Sequence, residues 1–224
     1  MIRIFFVATL CLVSLVKAQE MFSDRVKSLR IYGQVESQLP VAYRSSTPIT
    51  IEFDMTDEQS ANLELRFIHC DRDWKRTTAP FVNDSPRMKS KSELVPEPAP
   101  RGVQGYRLHY KISVPGYPVF DEFPFSGNYE LELWDQEREE LLAQGRFFLA
   151  EDLVAPLMRI ANRQEPSVTN PYYQVNKVSV GINVPPPDSG GTTVYYSHLF
   201  TTVDIYKNRE ISRAHRVDLD DRSP

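Results

Sequence analysis

Period-two alternation of apolar and polar residues recurs along this 224-residue chain, and few patterns restrict a fold more tightly. Ile49, Ile51, Phe53 and Met55 alternate with Thr50, Glu52 and Asp54. Leu63, Leu65 and Phe67 alternate with Glu64 and Arg66, and Tyr106, Leu108, Tyr110, Ile112 and Val114 with Arg107, His109, Lys111 and Ser113. Tyr129, Leu131 and Leu133, and later Val178, Val180, Ile182 and Val184, repeat the arrangement. Successive strand side chains point to opposite faces, so each stretch describes a strand with one buried and one wet face. The best helix candidate, residues 150–160, is interrupted by Pro156. Residues 136–140 are polar and placed to close a hairpin between 129–134 and 141–149. The pattern predicts an all-β fold, an antiparallel immunoglobulin-like β-sandwich followed by a second, partial or small β-rich domain. Seventeen prolines suit such a fold, where proline sits in loops and edges and guards edges against pairing.

Ahead of the first strand, residues 1–18 read as a secretory signal peptide. Arg3 supplies the positive start, residues 4–16 the apolar run, and Ala18 a small residue before Gln19. The run is too short to span a bilayer, and no later stretch is long enough either. Cys11 lies inside the apolar run after Leu10, which argues against lipidation. Beyond the leader, residues 22–151 are expected to form the sandwich and residues 157–224 the second β-rich domain, with the boundary near 152–156. Two irregular links stand out, residues 77–105 and 185–191. The first is long for a loop inside a compact domain, and such loops are usually functional or mobile; it is the expected partner contact.

Net charge is −4 and becomes more acidic once Arg3 and Lys17 leave with the signal. Nucleic-acid binding rests on neutralising phosphates, so an acidic chain argues against it. Cleavage also leaves Cys70 as the single thiol, so an internal disulfide is excluded and the fold must stand on its hydrophobic core. His69, Cys70, Asp71 and Asp73 crowd into one short run, all zinc-ligating types. Adjacent strand residues point apart, however, and His109, His198 and His215 stand alone. The run reads instead as a strand end and turn, with Trp74 buried, Cys70 packed, and Asp71 and Asp73 capping backbone groups. Glu137, Glu139 and Glu140 beside Arg138 read as a solvated turn, not an acid/base pair. No G-x-S-x-G, phosphate loop or H-E-x-x-H motif is present. Asn83-Asp84-Ser85 matches a glycosylation sequon. Tyr172, Tyr173, Tyr195 and Tyr196 leave room for an exported carbohydrate-binding or adhesion module, and an accessory domain of a secreted enzyme is a third reading.

Two runs carry a resemblance. Ile68-His69-Cys70-Asp71-Arg72-Asp73-Trp74 ends one strand ahead of the long link. Phe125-Ser126-Gly127-Asn128-Tyr129 opens another, which passes through the acidic turn to Arg146-Phe147-Phe148-Leu149. In this order they resemble the type IX secretion system plug proteins, whose pattern is a His-Cys-Asp-x-x-Trp run followed later by Ser-Gly-Asn-Tyr; the match covers about residues 26–205. The resemblance implies structural motif roles for His69, Cys70, Asp71, Trp74, Ser126, Gly127, Asn128 and Tyr129. It implies a periplasmic, non-enzymatic protein that associates with the outer membrane through a protein partner. That partner is a large outer-membrane β-barrel translocon, whose periplasmic opening the family closes. No cofactor, metal, catalytic residue, small-molecule substrate or nucleic acid is implied. The family's chains are longer than this one, and the shortfall falls on the second domain.

Overall fold

The computed structural model describes residues 19–36, 38–44, 47–83, 88–90, 93–116, 118–151, 155–164, 174–183, 202–207, 210–211 and 213–218. The leader, the link 185–191, the residues Tyr172, Tyr173, Tyr195, Tyr196 and His198, and the boundary residues 152–154 lie outside the described residues.

Among the described residues thirteen strands follow in chain order: β1 (Gln19–Met21), β2 (Val26–Tyr32), β3 (Val41–Tyr43), β4 (Ile49–Met55), β5 (Leu63–Cys70), β6 (Glu97–Pro98), β7 (Leu108–Val114), β8 (Gly127–Asp135), β9 (Glu140–Ala150), β10 (Ala155–Gln164), β11 (Gln174–Asn183), β12 (Thr202–Tyr206) and β13 (Ala214–Asp218). One short helix, α1 (Pro80–Asn83), lies between β5 and β6. The first nine strands make two sheets. One runs β1-β9-β8-β5, with β3 parallel to β9 on the same edge as β1, and the other runs β2-β4-β7-β6.

The expected antiparallel sandwich is the observed fold. In the second sheet, β4 and β7 pair Ile49 with Val114, Ile51 with Ile112, and Phe53 with Tyr110. Directly opposite residues share a face, so one apolar row lines the interior. In the first sheet Leu65 faces Leu133 and Phe67 faces Leu131. Between the sheets Phe67 packs on Phe120 at 4.5 Å and Phe123 at 5.3 Å, and Tyr129 stacks on Phe147 at 5.4 Å. Each such side chain contributes about 1.5–3 kcal/mol through burial, with roughly 0.5–1.5 kcal/mol more per aromatic pair. The hairpin expected around residues 136–140 is β8–β9.

The long link 77–105, expected as an irregular loop, is anchored in the core at several of its described residues. Val82, Met88 and Leu94 are buried. The Ser90 N–H donates to the Leu65 carbonyl at 2.8 Å, and the Leu65 N–H donates to Ser90 Oγ at 3.0 Å. In its described residues the link therefore clips the free edge of β5, through Lys89 opposite Arg66, and joins the other sheet as β6 beside β7. Apolar residues spaced without a period still anchor such a segment in the core.

Beyond Glu151 the described residues form two hairpins, β10–β11 and β12–β13. The stretch with the best helical spacing, residues 150–160, is strand instead: it supplies the end of β9 and much of β10. Pro156, which blocks a helix interior, is tolerated in a two-stranded ribbon that is all edge. No helix among the described residues is long and apolar enough to cross a membrane.

Candidate functional site

Pairing of β5 with β8 sets Cys70 opposite Asn128 and His69 opposite Tyr129. Two runs far apart in sequence thereby become one corner of the first sheet. Each motif residue has a structural task there. His69 lies on the inner face, its ring edge-on to Tyr129 at 5.3 Å. Its Nε2 is 3.2 Å from the Ser126 carbonyl and its Nδ1 is 2.7 Å from Thr77 Oγ1. A carbonyl only accepts, so in the neutral ring Nε2 carries the proton and Nδ1 accepts from the threonine hydroxyl. Gly127 has φ +141°, and a Cβ there would stand 2.6 Å from His69 Nε2. Both conformation and space demand glycine. Tyr129 is fully buried and donates its hydroxyl to the Phe125 carbonyl at 2.6 Å; burial pushes its pKa up.

The turn that follows is organised by Asp71. Its Oδ1 accepts from the N–H groups of Asp73 and Lys75, both at 2.9 Å, and its carbonyl accepts from Asn128 Nδ2 at 3.0 Å. This is the backbone capping expected of Asp71, and the Asn128 bond bolts the turn to β8. Two expectations are corrected. Asp73 does not cap: it pairs with Arg216 of β13 at 2.9 Å. Trp74 is only half-buried. Its φ of +63°, unusual for a bulky residue, turns the indole over the outer face of the sheet. There Arg146 stands 4.9 Å above the ring and Phe148 lies 5.3 Å away.

Cys70 is buried, as packing required, and shares the Asn128 face, opposite to that of His69. Burial, with the Glu130 carboxylate close by, pushes its thiol up to about 11. A thiol so protonated is a poor nucleophile. Among the described residues no group of three or more His, Cys, Asp or Glu is arranged to hold a metal. His109 sits far along β7 with Asp54 at 2.8 Å.

Asn83 belongs to the corner as well, and this bears on the sequon. Its side-chain oxygen accepts from the His69 N–H at 2.7 Å, and its amide nitrogen donates to the carbonyls of Thr77 at 2.6 Å and His69 at 3.2 Å. An amide engaged this way clamps the end of β5 and is not presented for glycosylation.

Sequence reasoning missed several residues around the corner. Glu130 and Glu132 are 7% and 6% exposed, although they occupy the polar phase of β8. Arg76 pairs with both, at 2.9 Å to Glu130 and in a shorter contact with Glu132. Buried carboxylates need such partners. The available signal was Arg76 itself, a cation returning two residues after Trp74. At the opposite end of β8, Arg25 binds Asp135 at 2.7 Å, Glu140 at 3.1 Å and Asp57 at 2.5 Å. Of the three turn glutamates, Glu140 is thus part of a clamp.

Among the described residues, the polar side chains of this corner hold strands and turns of an all-β sandwich together. The family comparison makes this specific: the chain belongs to the type 9 secretion system plug protein family, matching that family's first domain over residues 26–151. That is a family of secretion components and not a known enzyme family. The fold is also similar to the crystal structure, at 2.30 Å resolution, of a hypothetical protein from Parabacteroides merdae ATCC 43184. The TM-score is 0.56 at 16% sequence identity, over 74% of this chain and 41% of that one. At this identity the likeness concerns the fold alone, and this chain spans about two fifths of the length of that protein. No curated protein matches the chain.

Proposed function

We propose that this chain is an exported, periplasmic, non-enzymatic component of type IX secretion. In this reading it binds the outer-membrane β-barrel translocon and seals its periplasmic opening. The family match over residues 26–151 carries the reading. The leader pattern of residues 1–18 supports export, with Gln19 released as the first residue and already paired in β1. Residues 22–151 act as the rigid body and residues 157–224 as a second β-rich part. The eight motif residues His69, Cys70, Asp71, Trp74, Ser126, Gly127, Asn128 and Tyr129 build the corner instead of touching a substrate. Sealing a pore requires a body that holds its shape under contact, and a core of interlocked aromatics with both sheets bridged by the link 77–105 supports that role. Because Val82, Met88 and Leu94 of the link are buried, its partner-contact role has to be tested by substitutions at exposed positions such as Val95, not by deletion.

The test is purification of the tagged protein from detergent-solubilised envelopes of its host, with mass spectrometry of what accompanies it, then channel conductance with and without it. Stoichiometric recovery of one very large barrel, with conductance rising when this protein is removed, is expected. A monomer recovered free of envelope proteins, above all one with measurable affinity for a polysaccharide, overturns the reading in favour of a binding module.

A further inference from the structure

The corner turn meets the last hairpin of the chain. On the hairpin, Asp204 and Arg216 are cross-strand partners, and the guanidinium engages both carboxylate oxygens through Nε at 2.8 Å and Nη2 at 3.0 Å. That bidentate grip fixes the plane of the arginine and leaves Nη1 to reach across to Asp73 at 2.9 Å. From the other side Arg72 Nη1 donates to Thr202 Oγ1 at 3.2 Å. Each body therefore sends one arginine to the other. Beneath these polar contacts Tyr206 packs on Phe148 at 5.1 Å. Arg146, Trp74, Phe148 and Tyr206 so form one continuous stack that begins in the sandwich and ends in the hairpin. Ile211, in the link between β12 and β13, is 1% exposed and lines the small cavity left in the seam with Trp74 and Ala214.

We propose that the turn at residues 71–75 is the docking seat of the β12–β13 hairpin, a joint that sets the position of the later part of the chain against the sandwich. Two features favour this. An isolated two-stranded hairpin is marginal in water, so the order of β12–β13 depends on what it rests upon. The left-handed backbone of Trp74 closes the tight turn, in which the Trp74 N–H donates to the Asp71 carbonyl at 3.0 Å and the Asp71 N–H to the Lys75 carbonyl at 2.8 Å, and the same turn sets the indole against Phe148 and Asp73 beside Arg216. The aromatic stack supplies the attachment. The exposed arginine bridges fix orientation, and salt screens them. Hydrogen bonding to Arg216 holds the Asp73 carboxyl below its ordinary range, so the bridge is fully charged at neutral pH. The joint stands independently of any role in secretion.

Hydrogen exchange on the full chain tests it, with Asp73→Asn altering the seat and Tyr206→Ala the hairpin. Peptides covering 202–218 are expected to exchange faster in both variants, by roughly two- to tenfold for Tyr206→Ala, the equivalent of one aromatic pair. Peptides covering 49–55 and 108–114 in the core keep their protection. Unchanged exchange over 202–218 in both variants overturns the joint. Acceleration spreading into the core peptides overturns it too, since the hairpin is then an integral part of the sandwich and not a body docked on it.

Discussion

β7 and β11 look alike in sequence. Both alternate apolar and polar residues over a full strand, and both pair antiparallel with a neighbour. In β7, Tyr110, Ile112 and Val114 are 0%, 7% and 0% exposed. In the β10–β11 ribbon, Met158, Ile160 and Val178 share one face by register and are 55%, 63% and 38% exposed. The difference is the second layer. β7 has a sheet across from it, filled by Phe67, Phe120, Phe123 and Phe147; among the described residues nothing lies across the ribbon. Alternation states that a strand has an apolar face and is silent about what covers that face.

Substitutions can break or sharpen this contrast. The largest effect is expected at Phe67, which touches three other rings in the core. Phe67→Ala should cost about 3–5 kcal/mol, read as a fall in the denaturant midpoint. If Ile160→Ala in the ribbon costs as much, the two regions do not differ as described. Next comes Gly127→Ala, which forces a non-glycine residue to positive φ against the His69 ring and should cost about 1–3 kcal/mol in the same measurement.

Acid acts on the sandwich through carboxylates that neighbouring cations and hydrogen-bond donors hold ionised. Burial pushes Glu52 up, but hydrogen bonds from Lys111 and Tyr32 and the nearby Arg30 leave it below its ordinary value. Asp135 is likewise opposed by burial and lowered by Arg25 and by the Arg138 and Glu137 N–H groups. A carboxyl lowered on folding stabilises in full above its unfolded pKa and loses that contribution as pH falls through the folded value. The thermal midpoint of the sandwich should therefore hold steady at neutral pH and drop below about pH 4, and Arg25→Ala should flatten that drop. The smallest effect belongs to the ribbon, where Ile160→Ala should change stability by no more than about 0.5 kcal/mol in the denaturant titration.

The same contrast explains what the sequence made legible. β4, β5, β7 and β8 announced themselves because apolar residues recur at every second position and their apolar faces are large, and β9 was legible as the second arm of the hairpin with β8. β2 did not: its register shifts between Val26 and Ser28, so Val26 and Leu29 are both buried three residues apart and the alternation is spoiled. The residues of the corner were visible as two runs. Their meeting was not, because it depends on which strands pair, and β5 and β8 are separated by the whole of the link and β7. Asp73 was misjudged for a related reason. Its partner Arg216 lies 143 residues on, and a local reading of the turn could only offer it backbone.

Cys70 turns out to be a built-in reporter. With Cys11 inside the expected leader, the remaining chain carries a single thiol, shut in at the corner where strand, turn and docked hairpin converge. Its labelling by a thiol reagent can proceed only as fast as that corner opens. One bimolecular rate, measured on the unmodified protein and compared with that of a free thiol, thus reads the fraction of time for which this corner stands open.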